Sequence, residues 1–158
     1  MQNIISVNDH LTLACPDGFH VMDEAERKNL TFIAEGPCEC ITDPVRHILI
    51  TVGCRTLGKL AAMLVSAKDA AGNLETALRE AMRRYCFREN GSAAIELSGE
   101  KARGLSYEYV AHDTDMYAES YVAKRGKALY YLNFYVRETY RDKGLKTWEE
   151  FLSSAEWK

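Results

Sequence analysis

Apolar residues alternate with polar ones near the start of the chain, recur at helical spacing through its middle, and alternate again from Asn90 onward. Leu11, Leu13 and Cys15 share one side of an extended segment that runs into Pro16-Asp17-Gly18. That tripeptide supplies a fixed φ, a side-chain acceptor and a residue free to take φ > 0, so it predicts a strand followed by a turn. In "MDEAERKNLTF", Asp23 stands where an N-cap belongs, with acidic residues early and Arg27 and Lys28 late, which predicts a short helix. "RHILITVGCR" (46–55) is short and β-branched, as a buried strand is, and Pro44 precedes it where a missing N–H does least harm. Leu57, Leu60, Ala61 and Leu64 then fall on one face of a helix over 56–70. The strongest pattern is Leu74, Ala77, Leu78, Ala81, Met82, Tyr85 and Cys86, spaced to give a long amphipathic helix over 73–88 with Asn73 as its cap.

After Asn90 four alternating runs, "SAAIELSG", "GLSYEYVAH", "MYAESYVAKRG" and "KALYYLNFYVRETY", are separated by short turn-rich segments. This is the signature of a four-strand antiparallel meander. In the last run Ala128, Tyr130, Leu132, Phe134 and Val136 face one way, and Leu129, Tyr131, Asn133, Tyr135 and Arg137 the other. Both sets are apolar enough to need cover, so helices are expected on each side of the sheet. "TWEEFLSSAEWK" opens with Thr147 and carries Glu150 three residues on, a capping-box pattern that predicts a C-terminal helix over 147–153. The fold class expected is α+β, an α/β/α sandwich around a central antiparallel sheet.

Composition narrows the function classes. At 158 residues, 47% hydrophobic and 27% charged, the chain has the size and balance of one globular domain, and no Pro/Ser-rich linker or repeat divides it, so residues 1–158 are read as a single domain. A net charge of −3 with interspersed signs offers no basic stripe for phosphates, which excludes nucleic acid as the expected partner. Asn8, Asp9 and His10 interrupt what would be the apolar core of an export signal, and "LTLAC" lacks the charged leader of a lipoprotein box. No apolar run approaches the roughly 20 residues of a membrane span. Five cysteines, an odd count, fit a reducing cytoplasm.

"GPCECITDPVRH" holds the most suggestive chemistry. Cys38, Cys40 and His47, with Asp43, resemble an incomplete zinc ligand set, but no second C-x2-4-C pair completes it. The same residues would serve as thiol nucleophile, imidazole base and orienting carboxylate only if folding brought them together, and no glycine elbow marks an activated cysteine. Cys54 and Cys86 sit on apolar faces and read as core. The four histidines show no ligand spacing, "HDTDMYAE" lacks the central glycine and terminal glutamate of a calcium loop and reads as a polar hairpin turn, and no phosphate-binding glycine loop occurs. No metal, cofactor or catalytic residue is assigned. The remaining feature is aromatic: eight of nine tyrosines lie between Tyr107 and Tyr140. Tyrosine combines a large apolar body with a polar tip, and Tyr117, Glu119, Tyr121, Tyr131, Asn133, Tyr135 and Arg137 are the residues expected to line a groove on a partly covered sheet.

The order of elements, together with Pro16-Asp17-Gly18-Phe19, the helix over 73–88, Ala102, Gly104, Tyr107 and Tyr109 in an A-x-G-x-x-Y-x-Y run, "YYLNFY" at 130–135 and "FLSS" at 151–154, resembles the PsbP-like superfamily, which includes the Mog-type Ran-binding proteins and small bacterial proteins. The resemblance spans nearly the whole chain and rests on turn and packing positions. It implies the α/β/α sandwich and a binding or assembly role in preference to an enzymatic one, and it transfers no site. The function expected is a non-enzymatic, cytoplasmic module for a protein partner, with a pocket for a small ligand as a variant of that reading. The alternative from another class is a small cysteine-dependent hydrolase or redox or metal protein built on Cys38, Cys40 and His47.

Overall fold

A computed structural model of the chain describes residues 3–28, 30 and 38–158. Gly36 and Pro37, which open the predicted connection into the thiol segment, lie outside the described residues. The chain begins with a hairpin of β1 (Ile4–Val7) and β2 (Leu11–Ala14). Asn8 and Asp9 both adopt positive φ in its three-residue loop, where the His10 N–H donates to the Val7 carbonyl at 3.2 Å. β3 (His20–Val21) and α1 (Glu24–Arg27) follow, the helix opened by Asp23 in a reciprocal capping box with Glu26. Next come β4 (Cys38–Asp43), β5 (Ile48–Thr56), α2 (Lys59–Leu64) and α3 (Ala67–Ala81). The meander is β6 (Arg88–Leu97), β7 (Glu100–Ala111), β8 (Thr114–Arg125) and β9 (Ala128–Arg137), and α4 (Arg141–Ser153) and β10 (Glu156–Trp157) close the chain.

Among the described residues seven strands form one antiparallel sheet in the order β3-β4-β5-β9-β8-β7-β6, with β5 against β9 from Ile48–Val136 to Thr56–Ala128. One face carries α2 and α3, and the other carries α4 with a second sheet, β1-β2-β10. The α+β sandwich with helices on both faces is therefore present. The small sheet is an addition: neither Ile4–Val7 nor Glu156–Trp157 is long enough to announce a strand by period alone. The main core lies on the α4 face, where Ile50, Leu132, Phe134, Trp148 and Phe151 are buried and the Phe134 and Trp148 rings stack at 5.3 Å.

Three helix boundaries differ from the sequence reading. The segment 56–70 breaks at Val65 and Ser66, because Ser66 caps α3: its Oγ accepts from the Asp69 N–H at 3.1 Å and Asp69 accepts from the Ser66 N–H at 3.0 Å. Asn73 is inside α3 and caps nothing. At its other end α3 stops at Ala81, a 3₁₀ turn spans Arg83–Tyr85, and Cys86 reverses the chain at φ 53° as an exposed residue, so it is not core. α4 begins at Arg141, six residues before the expected start, and the Thr147 hydroxyl donates back to the Lys143 carbonyl at 3.3 Å instead of capping. Gly144 hides this start from a propensity argument. A Cβ there would lie 3.0 Å from Val136 and 3.1 Å from Phe134, so the glycine is kept for close packing of α4 on β9.

Candidate functional site

The β4–β5 turn is held by one buried carboxylate. Asp43 Oδ1 accepts from the backbone N–H groups of Val45 and Arg46 at 3.0 and 3.2 Å, and Oδ2 accepts from Arg46 Nε at 2.5 Å. Arg46 also donates to the Asp17 carbonyl at 2.9 Å and reaches Thr147 Oγ1 at 3.5 Å, so it ties the turn to the Pro-Asp-Gly segment and to α4. Gly18, at φ +88°, packs where a Cβ would meet Arg46 Nη2 at 3.0 Å and Asp43 Oδ2 at 3.2 Å. This clamp sets Pro44 and His47, the latter exposed at φ 54°, on the rim of a pocket on the helix-bearing face opposite α4.

The pocket has a volume of about 440 Å³, within the range of small-ligand and side-chain anchor sites. Leu49, Tyr109, Met116 and Tyr135 form its apolar floor, and Leu30, Thr42, Pro44 and His47 surround it. Behind the floor Tyr107 Oη meets Ser120 Oγ at 3.1 Å, and Asn133 Nδ2 donates to Thr51 Oγ1 at 3.1 Å. Register places Cys40, Thr51, Asn133 and Ser120 in one buried row across β4, β5, β9 and β8. Burial pushes the Tyr107 phenol up to about 12 and raises those of Tyr109 and Tyr135, so all three hydroxyls stay protonated at neutral pH.

The seven residues expected to share a groove do not share a face. Tyr117 pairs with Val136, Glu119 with Phe134 and Tyr121 with Leu132, which puts these three on the α4 side. Tyr131, Asn133, Tyr135 and Arg137 point to the α3 side, because adjacent strands in register carry directly opposed residues on the same face. The first three are consumed in an interior network. Glu119 accepts from Tyr117 Oη at 2.8 Å, Tyr121 Oη at 2.7 Å and Trp148 Nε1 at 3.3 Å, and the Arg141 guanidinium lies 3.9 Å above the Tyr117 ring. That network fastens α4 to β8. Of the other four, Tyr135 lines the pocket, Asn133 lies in the polar row behind it, Tyr131 packs at the far end near α2, and Arg137 is exposed opposite Met116.

The thiol constellation is likewise divided. Cys38 and Cys40 share a face of β4, with Sγ atoms 3.7 Å apart, Cys38 half-buried and Cys40 buried. His47 is not on the strand with Leu49 and Thr51 as expected; it closes the turn at the other end of the hairpin, against the Tyr140 ring at 5.7 Å. Cys40 pairs with Thr51 and Asp43 with Ile48, so three residues of strand, about 10 Å, separate the nearer thiol from the turn. Asp43 belongs to Arg46. The Cys40 thiol, donating to Cys38, pulls the Cys38 thiol well below its ordinary value, with Arg27 assisting, while the same contact and burial push Cys40 up. Cys54 is half-buried against the main core. Among the described residues no three His, Cys, Asp or Glu side chains gather as a metal site, and no helix is long and apolar enough to cross a membrane.

No protein-family model and no curated protein matches the sequence. Solved structures do. Cyanobacterial PsbP (CyanoP) from Synechocystis superposes with a TM-score of 0.68 at 15% identity, over 99% of this chain and 92% of that one. The chain has the PsbP-like fold. LpqN of Mycobacterium tuberculosis, described as involved in cell envelope biogenesis, matches with a TM-score of 0.61 at 14% identity over 99% of this chain and 90% of its own. A protein of Bacteroides thetaiotaomicron gives 0.61 at 11% identity, with 98% of this chain covering 47% of that one. At such identities the likeness is of backbone, and the site must be argued from this chain's own residues.

Within this PsbP-like fold, the pocket residues that the sequence reading did not single out are Leu30, Thr42, Pro44, Ile48, Leu49, Tyr109 and Met116. Leu49 and Met116 are ordinary strand residues by pattern. The signal that was available is "DPVRH": an aspartate two and three residues before backbone donors predicts a tight turn, and a tight turn brings Pro44 and His47 to the sheet end where β8 and β9 present Met116 and Tyr135.

Proposed function

We propose that the chain is a non-enzymatic binding module that takes an apolar side chain of a protein partner into the pocket between Tyr109, Tyr135, Leu49 and Met116. The observation that carries this reading is the pocket itself: an apolar floor on a rigid sheet, open on one side, rimmed by a proline and a histidine held in a locked turn. Aromatic and methionine side chains are the residues that interfaces favour, and a buried anchor in such a recess is where binding energy concentrates. The separation of His47 from both thiols weighs against the hydrolase alternative, since a base must stand within hydrogen-bond reach of its nucleophile.

Replacing Leu49, which is half-buried in the floor, by tryptophan fills the pocket from within. Peptides selected by display on the wild-type protein should share one large apolar anchor. They should lose on the order of tenfold to a hundredfold in affinity for Leu49→Trp, the worth of one buried side chain. Met116→Trp serves as a second filled variant, and an unchanged melting temperature qualifies either one. Peptides that bind wild-type and filled proteins alike would refute the pocket. A metabolite that stabilises only the open-pocket protein would replace the protein partner with a small ligand.

A further inference from the structure

α2 is built inside out. Its small residues Ala61 and Ala62, with Val65 just beyond it, pack toward Leu57, Ala70, Val122 and Leu129, while Leu60, Met63 and Leu64 stand 71, 82 and 70% exposed. Positions i, i+3 and i+4 lie on one helix face, so the three large side chains form a single projecting patch on the order of 400 Å², the size class that marks an interaction surface. Lys59 occupies the first position of α2, where the helix dipole disfavours a cation. Two locally unfavourable choices in six residues indicate a requirement other than folding.

Cations collect around the patch. Arg55, Lys59, Lys68 and Lys127 are exposed and form no ion pair with a described residue, and the Lys127 carbonyl accepts from the Leu57 N–H at 2.6 Å, which fixes the β8–β9 turn beside the start of α2. Lys124 donates to the Ala62 carbonyl. Among the carboxylates, Asp69 accepts from the Ser66 cap and Glu100 pairs with Arg125 at 3.1 Å. Around the same sheet end a second cavity of about 310 Å³ is lined by Asn8, His10, Arg125 and Lys127. Apolar side chains projecting from a convex tip, lysines around them and a basic recess alongside match an anionic phospholipid surface: aliphatic groups enter the acyl boundary while ammonium groups meet the phosphates. A protein interface is enriched in aromatic residues and arginine as well as methionine and is depleted in lysine, whereas the three projecting side chains include no aromatic and the cations around them are mostly lysine.

We propose that the end of the domain formed by α2 and the β8–β9 turn docks on anionic phospholipid bilayers, with Leu60, Met63 and Leu64 inserted and Lys59, Lys68 and Lys127 at the headgroups. This site lies at the end of the sheet away from the pocket and does not depend on it. Sedimentation with vesicles of phosphatidylglycerol and phosphatidylcholine in equal parts should recover the wild-type protein, and pure phosphatidylcholine vesicles should not. Binding should weaken about fivefold for each of Lys59→Gln and Lys127→Gln, and fall with added salt. The variant Leu60→Ser, Met63→Ser, Leu64→Ser should lose vesicle binding with its melting temperature retained, since all three side chains are exposed, and Leu49→Trp should bind vesicles as the wild type does. Equal recovery on neutral and anionic vesicles, no recovery on either, or undiminished binding by the triple variant would overturn the proposal. So would a wild-type dimer that the triple variant converts to monomer, because the patch would then be covered by a second copy of the chain.

Discussion

Replacing Gly104 by alanine is expected to be among the most damaging single-methyl changes in this protein. Gly104 sits in β7 opposite Tyr121 of β8. A Cβ there would lie 1.8 Å from the Ser120 carbonyl oxygen and 2.9 Å from Tyr121 Cα, whereas ordinary contact begins at 3.4 Å. Both obstructing groups are backbone, so no rotamer relieves the clash and the two strands must part locally by roughly 1.5 Å, more than packed interiors absorb without loss. Overpacking costs about 1–3 kcal/mol, and weakening one or two ladder hydrogen bonds at about 1 kcal/mol each brings the total to about 3 kcal/mol or more. For a chain of this length that lowers the melting temperature by roughly 6–12 °C. The strands concerned also position Tyr107 against Ser120 behind the pocket floor, so the same variant should loosen the site. Gly72 supplies the contrast. It lies in the exposed interior of α3 with nothing within 4 Å of an added Cβ, so Gly72→Ala should stabilise by about 0.5–1 kcal/mol through helix propensity. Urea denaturation of the three proteins side by side measures both. A Gly104→Ala protein within 1 kcal/mol of wild type, or one no worse than Gly72→Ala, would refute the steric argument.

Two further outcomes are expected. Burial raises the folded-state pKa of Tyr107 from 10 to about 12, so the unfolded chain loses this proton first: stability is full below about pH 10 and falls as pH rises toward 12, by about 3 kcal/mol from this residue alone. The buried tyrosines, the last to contribute to tyrosinate absorbance, should ionise together with the loss of far-ultraviolet circular dichroism, and buried tyrosines that ionise near pH 10 with secondary structure intact would contradict this. At the thiols, site-resolved alkylation at neutral pH should modify Cys38 well ahead of Cys40, and Cys40→Ala should slow modification of Cys38 by removing the hydrogen bond that favours its thiolate. An unchanged Cys38 rate in that variant would mean the contact does not activate it.

Several positions that carry the resemblance to the PsbP-like fold gain a physical reason from the structure. Pro16-Asp17-Gly18 is the strap over the Asp43–Arg46 pair, Gly104 admits the Ser120 carbonyl, and Phe151 stacks on Trp148 in the main core. What misled sequence reasoning was local signal that tertiary contact overrode. Gly144 looks like a helix breaker and is a contact point for β9; Thr147 looks like a cap and lies within α4; Cys86 continues an apolar stripe after the helix has already turned away. The groove residues failed for a different reason. Tyr117 and Tyr135 each alternate correctly along their own strands, but one strand's period cannot say which of its two faces meets which face of the next, and register put them on opposite sides.

By itself the sequence determined what is local. Period two gave the meander and the double-sided apolar strand β9, period 3.6 gave the body of α3, and turn chemistry gave the Pro-Asp-Gly bend, because each depends on residues a few positions apart. The tertiary structure alone decided everything that joins distant segments: the register that assigns Glu119 to an interior network and Tyr135 to a pocket, the turn that holds His47 away from Cys38 and Cys40, and the docking of α2 by its small residues with Leu60, Met63 and Leu64 turned to solvent. Those outcomes depend on which faces of separate elements are pressed together, and hydrophobic pattern alone leaves that choice open wherever both faces of an element are apolar.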